Sequence, residues 1–359
     1  MNTASKVLDV SSSFLFVHLD SYTQHAGDRI KGQIFLNTKS TFPNSSLILV
    51  STGYENLTVI TSSHSISEYK NEIFHDSTTI QEWDFLPSSS QYVFPFSFKL
   101  PFYAPATYEF DCLDDKKNTL KASITYNIQV TLYEQDRAVL VDDTNLQVLS
   151  NKARQNPQET KLDIRLETCC CVKKGNSHIS LEQIDKMNPV YGSLCRFHLK
   201  INWEKHKGKI QEVKGTVVYK LQLTIPGDKT YEFSRQLFDF NHSQSFLSNT
   251  DSVVALNEFD VLIEGQFAEN ASSNNTAMIN STYEAEAEIN FTFNVTHKSL
   301  KINLPVYVNP RQYSDREFSV YGEWSPEIHG IRSVFLQTKS GQNIFSPSKS
   351  SLVNESITK

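Results

Sequence analysis

Apolar and polar residues alternate along most of the chain. Between positions 124 and 132 every second residue is apolar, and the residues between them are polar. The same alternation occurs at positions 94–100, 197–203 and 285–295. Because successive side chains of a strand point to opposite faces of a sheet, each segment predicts a strand with one dry face and one wet face. Such strands are typical of antiparallel sheets packed as sandwiches.

The predicted strands fall into two blocks, residues 1–150 and 160–310. Further alternating segments complete the blocks, at positions 14–19, 30–36, 162–166, 217–225 and 300–308. The stretch 151–159 is polar, contains Pro157 and does not alternate, so it predicts a linker. No long segment has helical periodicity, and a short helix is expected only within residues 64–85.

The alternation fades after residue 310. Residues 311–359 keep some aromatic side chains up to Phe335 and are predicted to form a C-terminal extension that ends in a flexible tail. The last ~20 residues are rich in Ser, Lys and Asn, a composition typical of disorder. Phosphate on this segment would add negative charge, and the candidate sites are Ser346, Ser348, Ser350 and Ser351. An unmodified, solvated tail is the open alternative.

Composition and charge limit the class of protein. The 359 residues are enough for two domains with sizeable cores, and a net charge of −6 gives no general attraction to nucleic acid. No run approaches the roughly 18 apolar residues of a membrane span, and the N-terminal residues contain no apolar signal segment. Five cysteines, three of them adjacent, make a poor disulfide framework and suit a reducing compartment. A cytoplasmic location is therefore expected.

Local motifs of catalysis and ligand binding are absent from the sequence. It contains no G-x-G-x-x-G, Walker A, H-E-x-x-H or G-x-S-x-G motif and no C-x-x-C pair. We therefore expect no catalytic site, cofactor or metal ion, and we interpret the chain as a binding protein rather than an enzyme.

A run of cysteines beside two lysines has three interpretations. The residues are Cys169, Cys170, Cys171, Lys173 and Lys174. The cysteines act as small apolar residues in a strand or linker, or they are S-acylated beside basic residues and hold a membrane, or they bind a metal with Cys195 or His178. Three adjacent residues converge poorly on one ion, which weighs against the metal.

Aspartates in predicted loops raise the alternative of calcium binding. They are Asp111, Asp114, Asp115, Asp142 and Asp143. Solvated turns are the preferred interpretation, because Lys116 and Lys117 follow immediately and would oppose a cation.

Several segments resemble, in order and spacing, elements of the arrestin family. G-D-R-I-K-G-Q-I at 27–34 is similar to the strand pair near the start of arrestin N-domains, and L-I-L-V-S-T-G-Y-E at 47–55 is similar to the next strand. F-P-F-S-F-K-L-P at 94–101, P-A-T-Y at 105–108 and the strand at 124–132 continue the likeness. The cysteine run, Gly175, Tyr191-Gly192 and I-N-L-P-V at 302–306 resemble the C-domain of the alpha-arrestin, or arrestin-domain-containing, branch.

The resemblance covers residues 10–310 and points to the alpha-arrestin branch or a divergent relative. It implies an all-β fold of two tandem immunoglobulin-like antiparallel β-sandwiches, followed by the tail. It implies a non-enzymatic adaptor or scaffold that binds membrane-protein cargo or receptors and links them to intracellular trafficking or ubiquitylation machinery. Peripheral association with plasma or endosomal membranes is expected. The alternative from another class is a calcium- or lipid-binding β-sandwich protein of the cytosolic membrane surface.

Alpha-arrestins typically dock WW domains of ubiquitin ligases through Pro-Pro-x-Tyr motifs, which hold an extended polyproline segment against an aromatic groove. The chain contains none. The nearest segments are Pro189-Val190-Tyr191 and Pro305-Val306-Tyr307, each with one proline. Ubiquitin-ligase components are therefore expected to bind through the folded domains or through an intermediary protein.

Overall fold

The structure, a computed structural model, describes residues 6–113, 117–150, 159–167, 173–184, 188–202, 209–225, 227, 229–242, 254–262, 272–293, 296–311 and 317–334. Every regular secondary-structure element in this part of the chain is a strand, which confirms the predicted all-β fold. Within the same ranges, no helix long and apolar enough to cross a membrane is found.

The chain divides into two compact units, with the first boundary between Leu149 and Ser150. The first unit contains β1 Lys6–Asp9, β2 Phe14–Leu19, β3 Thr23–His25, β4 Arg29–Asn37, β5 Phe42–Ile60, β6 Ile66–Leu86, β7 Gln91–Lys99, β8 Tyr108–Leu113, β9 Thr119–Glu134 and β10 Arg137–Leu149. The second contains β11 Glu159–Glu167, β12 Lys173–Gln183, β13 Leu194–Asn202, β14 Lys209–Thr224, β15 Thr230–His242, β16 Val254–Leu262, β17 Asn274–Asn275, β18 Ile279–Phe293 and β19 Thr296–Val306.

Residues that follow the second unit in sequence return to the first unit in space. They form β20 Phe318–Tyr321, β21 Glu327–Ile328 and β22 Arg332–Val334. The sequence predicts only an extension here, so these strands are new. Of the predicted linker at 151–159, residues 151–158 lie outside the described residues, whereas Glu159 already begins β11. The predicted tail beyond residue 334 also lies outside the described residues.

Besides the two-stranded sheet of β1 and β20, two larger sheets build the sandwich-like first unit. One has five strands in the order β2-β4-β7, with β21 and β22 both paired to β7. The other has six strands in the order β3-β10-β9-β5-β6, and β8 pairs with β9. Both sheets contribute buried side chains to the core, for example Ile34 and Phe96 from the first and Leu49 and Val130 from the second.

The pairing of β5 with β9 fixes the register of the larger sheet. It runs from Ser45 opposite Glu134 to Ile60 opposite Thr119 without a shift. Every second residue of β5 from 47 to 59 is buried. A slip by one residue would turn this row to solvent, so the alternation in the sequence specifies the pairing.

The expected helix within residues 64–85 is wrong, because β6 occupies this segment. β6 pairs antiparallel with β5, and the two strands are joined by a turn in which the Thr61 N–H donates to the Ser65 carbonyl at 2.9 Å. Two register shifts interrupt the pairing, and the buried residues of β6 are Phe74, Ile80 and Leu86, six residues apart rather than two. Such bulges obscure the period-two signal that identifies other strands of the chain.

The second unit also contains two described sheets. One has the order β11-β12-β13-β16, and the other has the order β15-β14-β18-β17 with β19 paired to β18. In β18 the predicted alternation is confirmed, since Ala285 and Ile289 are buried and the glutamates between them are half-exposed. Lys220 of β14 donates a hydrogen bond to Glu284, which raises the pKa of Lys220. The wet face of this sheet thus carries ion pairs across its strands.

Gly32 is a position of β4 where a side chain would not fit. A Cβ there would lie 2.5 Å from the carbonyl oxygen of His18 and 2.7 Å from the ring of Phe96. We expect Gly32→Ala to lower the free energy of unfolding of the first unit by about 1–3 kcal/mol, because a backbone atom and a buried ring must both move. Urea unfolding measures the change. Gly330→Ala is the matched control, since its Cβ would meet nothing within 4 Å. Equal losses in both variants would contradict the explanation.

Candidate functional site

Part of the β2-β4-β7 sheet is buried on both faces. Leu15, Phe16 and Val17 are consecutive in β2 and all are buried, as are Ile34 and Phe35 in β4. Consecutive side chains of a strand point to opposite faces, so this sheet has a second apolar face besides the one in the sandwich core. The sequence pattern predicts a wet outer face for sandwich strands, and the structure corrects this for β2 and β4.

Two segments cover the outer face: β1 and residues 317–334, and the latter are here named the C-terminal strap. The buried residues of the resulting cluster are Leu8, Phe16, Phe35 and Val93. The partly buried residues packed against them are Phe14, Phe318, Val320 and Trp324. The ring centroid of Phe318 lies 5.1 Å from that of Phe16 and 5.0 Å from that of Phe35. The Trp324 ring stacks on Phe14 at 5.6 Å. Aromatic pairs at such distances contribute about 0.5–1.5 kcal/mol beyond the burial of area, so Phe318 and Trp324 anchor the strap.

Backbone hydrogen bonds attach the first part of the strap to β1. β20 runs parallel to β1, and the register places Lys6 opposite Phe318. The Lys6 N–H donates to the Glu317 carbonyl at 3.1 Å, and the Val10 N–H donates to the Tyr321 carbonyl at 3.1 Å. The two segments therefore form a two-stranded sheet of their own above the outer face.

The last part of the strap attaches to the edge of β7. β21 and β22 both run parallel to β7. Between these two strands, the backbone N–H of His329 donates to the Val93 carbonyl at 3.0 Å. The His329 ring stacks on the Phe94 ring, with 4.5 Å between the ring centroids. The strap thereby supplies partners for N–H and C=O groups of a strand that would otherwise end the sheet.

Gln91 holds the segment that joins the two parts of the strap. Its side-chain amide nitrogen donates to the Glu323 carbonyl at 3.1 Å, and its amide oxygen accepts the Ser325 N–H at 2.8 Å. This pair of bonds fixes the backbone on both sides of Trp324, which places the indole ring against Phe14.

A carboxylate of the larger sheet ties β1 to β2. One oxygen of Asp142 in β10 accepts a hydrogen bond from Lys6 Nζ at 2.6 Å, and the other accepts the Val17 N–H at 2.9 Å. The Lys6 ammonium also lies 4.6 Å from the centroid of the Phe16 ring. β2 is the edge strand of its sheet, so Asp142 gives one of its backbone groups an acceptor and at the same time holds β1 in place.

The arrangement is a binding surface for an extended segment, occupied by the chain itself. β1 and β7 offer backbone hydrogen bonds, and the rings of Phe14, Phe16 and Phe35 offer contacts for side chains. Addition of a strand to a sheet edge is a general mode of peptide recognition. Among the described residues, no group of three or more His, Cys, Asp or Glu side chains is placed to hold a metal ion.

Most candidate site residues identified in the sequence fall outside the part of the chain that the structure describes. Cys169, Cys170 and Cys171 fall outside the described residues, and so do the tail serines at 346, 348, 350 and 351. Lys173 and Lys174 begin β12, but their side chains are outside the described part of the structure. Acylation and phosphorylation at these positions stay predictions.

The aspartates considered for calcium make contacts within the protein where they are described. Asp111 of β8 forms an ion pair with Lys121 of β9 at 3.2 Å. Asp143 of β10 accepts a hydrogen bond from Asn127 of β9 at 3.0 Å. Asp142 serves Lys6 and β2 as described above, and the aspartates at 114 and 115 lie outside the described residues. The three described carboxylates thus join strands.

Both single-proline segments belong to folded parts of the second unit. Tyr191 is buried, and its N–H donates to the Asn309 carbonyl at 2.8 Å. Pro305 and Val306 end β19, and burial raises the pKa of the following Tyr307 to about 12. Neither segment is an accessible linear motif in this fold.

Fold and site define an all-β protein whose first unit binds an extended segment of its own chain. Comparison with protein-family models and with curated proteins finds no match to this chain. A functional assignment therefore rests on its residues and their geometry.

Phe318 is expected to be the main anchor of the strap. Phe318→Ala should destabilise strap docking by about 1–3 kcal/mol, less than for a fully buried ring because Phe318 is only partly buried. Hydrogen exchange of the amides of residues 317–334 measures the change. Tyr321→Ala is the matched control on the same strand, since Tyr321 is 71% exposed. Equal effects of the two substitutions would show that the ring contacts of Phe318 do not hold the strap.

The contact between Lys6 and Asp142 is expected to stabilise β1. Asp142→Asn and Lys6→Met should each accelerate hydrogen exchange in residues 6–9, with a cost of about 0.5–2 kcal/mol because Lys6 is half-exposed. The two changes together should cost less than their sum, since both remove one contact. Asp143→Asn, one residue further along β10, should leave this exchange unchanged. Strict additivity would mean that the two side chains act independently.

Proposed function

We propose that the chain is an arrestin-like adaptor of the alpha-arrestin branch or a divergent relative. In this role it has no catalytic activity, binds membrane-protein cargo or receptors, and links them to intracellular trafficking or ubiquitylation machinery. It works in the cytoplasm, peripheral to plasma or endosomal membranes.

The strap is the observation that carries the proposal. The outer surface of the β2-β4-β7 sheet takes up an extended segment through backbone pairing on two strands and through aromatic anchors. An extended segment of another protein can use the same two kinds of contact, because backbone pairing is largely independent of sequence. A surface built this way suits an adaptor that must bind peptide segments of partners.

The strap and a partner segment would compete for this surface. A partner then binds with an apparent affinity reduced by the fraction of molecules whose strap is docked. Weakening the strap should therefore strengthen partner binding without any new contact. A gain in partner binding on weakening the strap is expected only if the surface is an adaptor site. It is not expected if the strap covers the surface for stability alone.

The order and spacing of the family-like segments support the same proposal. F-P-F-S-F-K-L-P at 94–101 forms most of β7, the strand that receives β21 and β22. One of the segments that resemble the arrestin family thus lies in the proposed site. Recruitment of ubiquitin ligases is expected through the folded units or an intermediary, since Pro-Pro-x-Tyr is absent from the sequence.

Proximity labelling in the native cell tests the function. The full chain, Phe318→Ala and Tyr321→Ala are compared, with expression levels matched. We expect membrane proteins and trafficking or ubiquitin-ligase components among the labelled proteins, with a severalfold gain for Phe318→Ala and none for Tyr321→Ala, because only the first change frees the surface. Labelled sets without membrane proteins, or identical for all three chains, would contradict the proposal.

A further inference from the structure

The turn after β7 presents two adjacent aromatic side chains to solvent. Phe102 is 71% exposed and Tyr103 is 61% exposed. Isolated apolar side chains on a surface are common, but two neighbouring rings at the tip of one turn form a small apolar protrusion. Residues 101–105, here named the aromatic turn, read Pro-Phe-Tyr-Ala-Pro.

The aromatic turn is fixed at its base. The Ala104 N–H donates to the Pro101 carbonyl at 3.1 Å, and the Pro105 carbonyl accepts the Tyr126 hydroxyl at 2.7 Å. Leu100, Ala104 and Ala106 are each no more than 1% exposed. The prolines on both sides restrict the backbone further. The turn that carries the two exposed rings therefore has a rigid support.

Basic side chains lie beside the aromatic turn. Lys99 ends β7 opposite Arg29 of β4, and Lys31 lies two residues further along β4 on the same face. All three are exposed, and neither Lys31 nor Lys99 forms an ion pair with any residue in the described ranges. Asp20 and Asp28 border the group, so the local excess of positive charge is small.

A rigidly supported turn with two exposed rings and a weakly basic border has the chemistry of a membrane-contacting element. Aromatic side chains favour the interface between headgroups and acyl chains, and nearby lysine and arginine are attracted to anionic lipids. A peptide ligand, in contrast, is usually bound in a concave groove or at a sheet edge. Both aromatic residues of the turn are at least 61% exposed, which favours a bilayer over a peptide.

We propose that the aromatic turn inserts Phe102 and Tyr103 into the interface of an anionic bilayer, with Lys99, Arg29 and Lys31 against the headgroups. This site is separate from the strap surface and goes beyond the adaptor function. The adaptor function and the membrane contact can be tested independently, because binding to protein-free vesicles requires no protein partner.

Co-sedimentation of the full chain with phosphatidylcholine vesicles, with and without phosphatidylserine, tests the proposal. We expect binding to vesicles that contain phosphatidylserine and weaker binding to phosphatidylcholine alone. The double substitution Phe102→Ser with Tyr103→Ser should reduce binding by about tenfold or more, since burial of both rings is lost. Lys31→Glu with Lys99→Glu should reduce binding severalfold, and only where phosphatidylserine is present.

Phe85→Ser is the matched control, because Phe85 is another exposed aromatic residue of the first unit, at 59%. It should leave vesicle binding unchanged, and unfolding curves should confirm that all variants are folded. The proposal is overturned if the full chain binds neither kind of vesicle, if the double variant binds as well as the unaltered chain, or if Phe85→Ser lowers binding equally. The proposal is also overturned if the double variant labels fewer proteins in cells while it binds vesicles as the unaltered chain does. That result would assign the aromatic turn to a protein partner.

Discussion

An apolar outer face on the β2-β4-β7 sheet is the constraint on which the first unit depends. Leaving Phe16 and Phe35 in water would cost about 1.5–3 kcal/mol each, and the edge of β7 would expose unpaired backbone groups. β1 covers part of this face, but it is only four residues long. The remainder needs a second segment, and the chain brings one back from beyond the second unit. Segments more than two hundred residues apart in sequence thus become parts of one structure.

Strands with one wet face were predictable from the sequence alone. In β9 and β18 the alternation of apolar and polar residues matches the alternation of buried and exposed side chains, because period two is a direct consequence of strand geometry. The pattern weakens where this geometry is modified. β2 reads Phe-Leu-Phe-Val-His-Leu because both of its faces are covered, and β6 contains bulges. The expected helix in the β6 segment failed for that reason.

The candidate site could not be predicted in the same way. β20, β21 and β22 have four, two and three residues, too few for a periodic signal. Their partners are β1 and β7, and nothing in a local sequence specifies a parallel partner so distant. Asp142 illustrates the same limit. As a sequence feature it suggested a loop carboxylate for calcium, whereas its partner Lys6 lies 136 positions away. The alternation at 94–100 did locate β7, but it gave no sign that this strand receives β21 and β22.

The strap and the aromatic turn differ in how firmly they are held, and this difference suits two kinds of contact. The strap is docked by short parallel pairings and a few partly buried side chains, so its local stability is a small part of that of the unit. A partner segment needs only a few kcal/mol of competing contacts to replace it, which is within reach of one or two aromatic anchors. The aromatic turn is supported by core residues at its base and cannot be exchanged in this way. A bilayer requires no displacement of the chain, because it offers an interface rather than a defined groove. A rigid tip for the membrane beside a replaceable segment for partners would let the first unit bind both without one contact disrupting the other.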